Sequence, residues 1–272
     1  MSASIAVTGK GGVGKTTISS LIVRALVESG SGPVLAVDAD PNSCLDAALG
    51  VSVTNTIGRI REEAREVASK GMAAGISKQE LLELRIAESL VERDGFDLIA
   101  MGRPEGAGCY CYANNVLKDA IGRLARDYSS VVIDNEAGLE NLSRRLSQEL
   151  SVLALVGDAT RDGVETVKRL YELAGEMGIG YARIAVVINR TRSEDLPERA
   201  AGLAELIPDC RILALPFDPT IGEASEAGRT VFELAPDNPS LLKIREFLST
   251  LGMATARSSA GAARAPKERA NG

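Results

Sequence analysis

Gly9-Lys10-Gly11-Gly12-Val13-Gly14-Lys15-Thr16-Thr17 stands between a short apolar run, Ser4–Thr8, and a segment of helical period, Gly14–Ser29. It fits the pattern G-x-x-x-x-G-K-[ST] at a strand-to-helix junction, and that context decides the fold. Glycines at these positions let backbone N–H groups curl around phosphate oxygens without Cβ clashes. The helix start adds the positive end of its dipole. In this reading Gly11, Gly12, Val13 and Gly14 form the cradle and Lys15 sits on the β- and γ-phosphates. The Thr16 hydroxyl holds Mg²⁺, and Thr17 bonds the α-phosphate. The alternative is a Gly-rich turn without a ligand.

Outward from the loop, Ile18, Leu21, Ile22, Ala25 and Leu26 share one helix face at i, i+3, i+4, i+7 and i+8. Gly30, Gly32 and Pro33 end that helix, and Val34–Asp38 reads as the next strand. Asp97–Met101, Ser130–Asp134, Val152–Val156, Arg183–Ile188 and Arg211–Leu215 are further strands, all continuous apolar runs of the kind buried on both faces. Helical stretches at 79–92, 114–127, 163–177, 197–206 and 239–251 alternate with them. The expected fold is α/β, a doubly wound, mostly parallel sheet flanked by helices on both faces. Residues 1–253 form one domain in this reading, with a charged, helical insertion at about 50–95. That insertion is either a solvated face or a partner-docking surface. Residues 254–272, rich in Ala, Ser, Arg and Gly, read as a disordered tail.

Composition narrows the function classes. The 272 residues carry 31 Lys and Arg against 37 Asp and Glu, a net charge of −6, which argues against broad nucleic-acid binding. No secretion leader and no apolar stretch long enough to span a membrane is visible, so the cytoplasm is the expected location. Four cysteines are too few for a disulfide scaffold, and there is no histidine. Cys44 and Cys210 stand singly and read as buried structural thiols.

Lys10 adds to the ordinary loop pattern a second lysine, which can reach a phosphate in its own subunit or across a dimer interface. Carboxylates follow two strands: Val37-Asp38-Ala39-Asp40-Pro41-Asn42 and Ile133-Asp134. At the carboxyl ends of parallel strands such groups converge on the ligand crevice, although an Asp there can also merely cap the next helix. Ile188-Asn189-Arg190 and Leu215-Pro216-Phe217-Asp218 close two later strands and would locally read as turns. No N-K-x-D motif occurs, which favours ATP over GTP.

The K-G-G-x-G-K-T-T stretch resembles the deviant Walker A of the MinD/ParA and nitrogenase-iron-protein class of P-loop ATPases. That resemblance implies a homodimer sandwiching ATP, with Lys10 lying across the opposing subunit's nucleotide to neutralise transition-state charge. It further implies Asp40 orienting the attacking water, Asp38 near Mg²⁺ and Asp134 as the Walker B residue. Asn189, with Arg190 beside it, falls at the adenine edge, and Pro216, Phe217 and Asp218 form the wall of the base pocket.

Gly108-Cys109-Tyr110-Cys111 holds two thiols one residue apart. Thiolate coordination favours about four ligands around a soft ion, so one chain's pair points to a metal shared at a symmetric interface. A chance pair or a redox couple is the alternative. The surrounding segments, Met101 to Asn115 and Val132 to Arg145, resemble the CooC family of ATPases that insert nickel during carbon monoxide dehydrogenase maturation. This implies Ni²⁺ or Zn²⁺ between the Cys109/Cys111 pairs of two subunits. The client is then carbon monoxide dehydrogenase or a related nickel enzyme such as acetyl-CoA synthase. Asn141 departs from that family, where His often stands. The competing functions are an iron–sulfur carrier or scaffold ATPase, an iron–sulfur reductase, and a ParA/MinD-like positioning ATPase. The reductase would need cysteines from two loops per subunit. The positioning ATPase would need a basic stripe or a membrane-binding helix, and the tail with Arg264, Lys267 and Arg269 has no apolar face.

Overall fold

The computed structural model describes residues 2–42, 44–60, 62–63, 78–102, 122–139 and 149–253. In it β1 (Ala3–Gly9) runs into α1 (Lys15–Ser29), followed by β2 (Val34–Asp38) and α2 (Leu45–Leu49). Next come α3 (Lys78–Glu88), β3 (Val91–Arg93), β4 (Phe96–Ala100) and β5 (Ser130–Asp134). The second half contains β6 (Leu150–Asp158), α4 (Arg161–Glu176), β7 (Tyr181–Thr191), and the one-turn helices α5 (Glu198–Ala201) and α6 (Leu203–Leu206). β8 (Arg211–Pro216), α7 (Pro219–Glu226) and α8 (Pro239–Thr250) complete it.

The strands form one sheet in the order β3-β4-β2-β5-β1-β6-β7-β8. Every neighbouring pair is parallel except β3 with β4. The chain leaves β1 through α1 for β2 on one side, while β6 joins β1 from the other. β1 is thus the switch point, and its carboxyl end opens the crevice where such sheets bind ligands. Both faces are covered. Ile5, Val7, Val34 and Ala36 pack with α1 and α8 on one side, whereas Ala6, Leu35 and Val37 pack with α4 on the other. This double burial is why the strands read as unbroken apolar runs rather than alternating ones. The predicted face of α1 is buried throughout.

Arg24 is the charged exception on that helix, with only 2% of its surface exposed. Its guanidinium donates to the carbonyls of Val231 and Leu234 and to Glu28, which also pairs with Arg245 of α8. The C-terminal segment is therefore fastened to the helix that carries the loop.

Several boundaries differ from those expected. The helix predicted over 79–92 ends at Glu88, and Val91–Arg93 forms an antiparallel edge strand closed by a turn at Gly95. Three residues with two charges give no apolar run to detect. Within the predicted 50–95 insertion, residues 57–60 and 78–88 are helical, and residues 61 and 64–77 lie outside the described residues. The helix predicted over 197–206 is broken at Gly202. Of the helix predicted over 114–127, only 122–127 is described, ending in a 3₁₀ turn over Ala125–Asp127. The predicted tail, 254–272, lies outside the described residues. Among the described residues no helix is long and apolar enough to cross a membrane.

Removing the Arg24 side chain takes a charged donor from two carbonyls and leaves Glu28 with one fewer partner. Arg24→Ala is expected to cost roughly 3 kcal/mol in urea unfolding, the range for breaking a buried charged hydrogen-bond network.

Candidate nucleotide site

The loop begins where β1 passes closest to β6: a Cβ on Gly9 would lie 2.3 Å from the Val156 carbonyl oxygen. It ends at Gly14, in the left-handed region (φ 93°), where a Cβ would meet the Asn189 amide nitrogen at 2.4 Å. Only glycine satisfies both conditions there. Between them Lys10, Gly11 and Gly12 are exposed and Val13 is buried. Lys15 is buried, and its ammonium donates to the Lys10 carbonyl at 3.2 Å, drawn across the loop's mouth. The Lys10 side chain faces solvent.

Asp134, at the end of β5, is 1% exposed. It accepts hydrogen bonds from Thr16 Oγ1 at 2.6 Å and from Ser19 Oγ at 3.0 Å. Thr16 was expected at this site; Ser19 was not. Its signal is the i, i+3 spacing from Thr16, which puts both hydroxyls on one face of α1. Thr17, half-buried, follows on the same first turn.

Asp38 sits beside Asp134 on the neighbouring strand, in register. It spends its oxygens on the backbone: Oδ2 accepts from the Leu45 N–H at the start of α2 and Oδ1 from the Asp40 N–H. Asp38 thereby ties the exit of β2 to the first residue of α2, whose N-cap position is Cys44. Asp40 is half-buried and accepts from the Asn42 N–H.

On the other side of the loop, Asn189 Nδ2 donates to the Val13 carbonyl at 2.8 Å, and Arg190 Nη1 donates to the Gly12 carbonyl at 3.2 Å. Pro216 ends β8, and the Phe217 N–H is bonded to the Thr191 carbonyl while its ring stands 64% exposed. Asp218 caps α7 and also accepts from Thr220 Oγ1, Asn238 Nδ2 and Ser240 Oγ. Burial works against this carboxylate, yet those hydrogen bonds hold it below its ordinary range. It braces the turn more than it faces a crevice.

The carboxylates by the loop behave differently. Burial raises the pKa of Asp134 despite the Thr16 and Ser19 hydroxyls. Burial also pushes Asp38 up to about 7, with the nearby Asp134 charge adding to it. Two buried oxygen anions short of positive charge, next to a hydroxyl and a lysine, fit a hard divalent cation such as Mg²⁺ in their donor chemistry.

Cys109, Cys111 and Asn141 lie outside the described residues. The segment carrying the two cysteines leaves β4 at Met101, whose N–H donates to the Asp38 carbonyl at 2.8 Å. Cys44 is exposed and Cys210 half-buried, so neither is the buried thiol expected. Cys44 follows the Asp40-Pro41 turn, where the chain has not yet entered α2, and burial and the surrounding aspartates raise its pKa. Among the described residues no group of three or more Cys, Asp or Glu side chains is arranged to hold a metal ion.

The family described as CobQ/CobB/MinD/ParA nucleotide binding domain matches residues 4–231. An uncharacterized ATP-binding protein of Methanocaldococcus jannaschii is 42% identical over 244 residues, covering 89% of this chain and 96% of that protein. The carbon monoxide dehydrogenase accessory protein CooC of Rhodospirillum rubrum is 30% identical over 245 residues, covering 85% and 90%. Among solved structures, the cell division ATPase MinD of Pyrococcus furiosus superposes with a TM-score of 0.64 at 22% identity, covering 92% of this chain and 100% of that one. A ParA family ATPase from Chlorobium tepidum gives 0.66 at 20%, covering 91% and 98%. The chain belongs to the CobQ/CobB/MinD/ParA family of nucleotide-binding ATPases.

Asp38 takes up a proton on folding, because its pKa rises from 3.8 to about 7. Its contribution to stability is therefore intact at low pH and is lost as pH climbs to about 7. In nucleotide-free protein, the Tm difference between Asp38→Asn and wild type should shift in the variant's favour between pH 5 and pH 8, as read by scanning fluorimetry.

Proposed function

We propose that this ATPase is a metallochaperone that binds nickel through Cys109 and Cys111 at a homodimer interface and supports its insertion into carbon monoxide dehydrogenase or a related nickel enzyme. The likeness to the R. rubrum accessory protein runs through a chain that has Gly-Cys-Tyr-Cys at 108–111 and the two-lysine loop at 9–17. Nickel here is the cargo. With one Cys pair per chain and no histidine, four sulfurs around one ion require two chains.

In the proposed cycle the loop N–H groups of residues 11–14 and the Lys15 ammonium hold the β- and γ-phosphates. Thr17 follows at the α-phosphate. Thr16 and Asp134, with Asp38 behind them, would hold Mg²⁺, which spreads the charge of the phosphates when bound. Asp40 orients the water that attacks the γ-phosphorus as the bond to the ADP oxygen breaks. Lys10, free to leave its own loop, meets the charge of that transition state in the partner subunit. The exposed Phe217 and Pro216 offer the base a wall, beside Asn189.

The root of the segment that carries the cysteines is hydrogen-bonded to the turn beside the phosphate loop. The Ala39 N–H bonds the Asp134 carbonyl, the Asp40 N–H bonds the Asp38 carboxylate, and the Met101 N–H bonds the Asp38 carbonyl. In the proposed cycle a shift of the Asp40 turn would be felt at Met101, the root of the cysteine segment. Such coupling moves metal affinity only if closed and open dimers bind the ion unequally.

A ParA/MinD-like positioning ATPase is the second reading, favoured by the shared fold, and an iron–sulfur carrier is the third. Anaerobic titration calorimetry separates them. One Ni²⁺ per two chains is expected, with binding abolished in Cys109→Ser/Cys111→Ser; unchanged nickel binding in that variant would sink the metal reading. Lys10→Ala should lower ATP turnover by at least about a hundredfold while ADP still binds, the scale of losing a charge-stabilising group. Full turnover would show that no lysine acts across the interface.

A further inference from the structure

We propose that Arg190 is a positioning residue that holds the phosphate loop in shape from behind, acting on the loop's backbone rather than on the base. For the loop's N–H groups to converge on an anion, its carbonyls must point away, and a protein donor on such a carbonyl holds that orientation. Arg190 donates to the Gly12 carbonyl and Asn189 to the Val13 carbonyl, so two successive carbonyls of the cradle are held by two successive residues of one turn.

The turn is built for this. β7 pairs regularly with β8 up to Asn189 and then shifts register before Thr191, which leaves Arg190 as the irregular residue. Such irregularities re-aim a side chain and recur beside functional sites. Arg190 also sits in the left-handed region, at φ 57°, which residues other than glycine and asparagine seldom adopt. Its own N–H is bonded to Asn189 Oδ1, so both ends of the Asn189 amide have partners. Asn189 is buried and fixed, whereas Arg190 is exposed and reaches over the loop's outer side. This inference needs only the phosphate loop and is independent of the nickel reading.

Three ligands separate the possibilities: Mg²⁺ with tripolyphosphate, ADP and ATP, titrated into the full chain. Arg190→Gly keeps the left-handed backbone and removes the guanidinium, and Arg190→Asn, also at home there, repeats the comparison. Each should weaken all three ligands by the same factor, about fivefold, the scale of one partly exposed charge-assisted hydrogen bond. Arg190→Lys should recover much of the loss. In nucleotide-free protein, amide hydrogen exchange across residues 11–14 should speed up in the Gly and Asn variants. A loss confined to ADP and ATP would mean that Arg190 reads the base or ribose and would overturn the proposal. Unchanged affinity, or a loss of affinity with unchanged loop exchange, would overturn it as well.

Discussion

A carboxylate buried at the end of one strand ties the helix that leaves the neighbouring strand to the sheet, and the site depends on that bond. Asp134 takes a hydroxyl from Thr16 and another from Ser19, so the first turn of α1 cannot rotate away from β5. The same residue's backbone carbonyl receives the Ala39 N–H, which fixes the exit of β2 and the turn bearing Asp40. One residue thus sets the positions of the first turn of α1, the buried carboxylates and the Asp40 turn relative to one another. The cost is a buried negative charge, with a second, Asp38, in register beside it. Burial raises the pKa of both, which marks each as a carboxylate that nearby positive charge would stabilise.

Much of this was legible in the sequence because the constraints were local. Gly14 must be glycine for a conformational and a steric reason, and Lys15 and Thr16 follow it by covalent geometry. The strands announced themselves through double burial, and α1 through its spacing. Asp38 and Asp134 could be assigned to one crevice because parallel strands all present their carboxyl ends to the same side.

What escaped was set by partners distant along the chain. Nothing near Asn189 says that its amide lies against Val13, 176 residues away. Asp218 looked like a pocket residue, but its carboxylate is engaged by Thr220, Asn238 and Ser240, a contact set that exists only once α7 and α8 have docked. Cys44 looked like a core thiol by residue type, yet the turn after Asp40-Pro41 leaves it in solvent. The edge strand β3 is too short and too charged to show a pattern.

That edge strand has a bearing on how the molecule can associate. An open sheet exposes a row of unpaired backbone groups along each margin, an invitation for another chain to add a strand. Here one margin is closed by three residues, Val91, Glu92 and Arg93, of which the last two are exposed and charged. A second molecule finds too short a backbone ladder there to extend the sheet, and it must desolvate charges to reach it. Continuous strand-to-strand growth is discouraged along this margin.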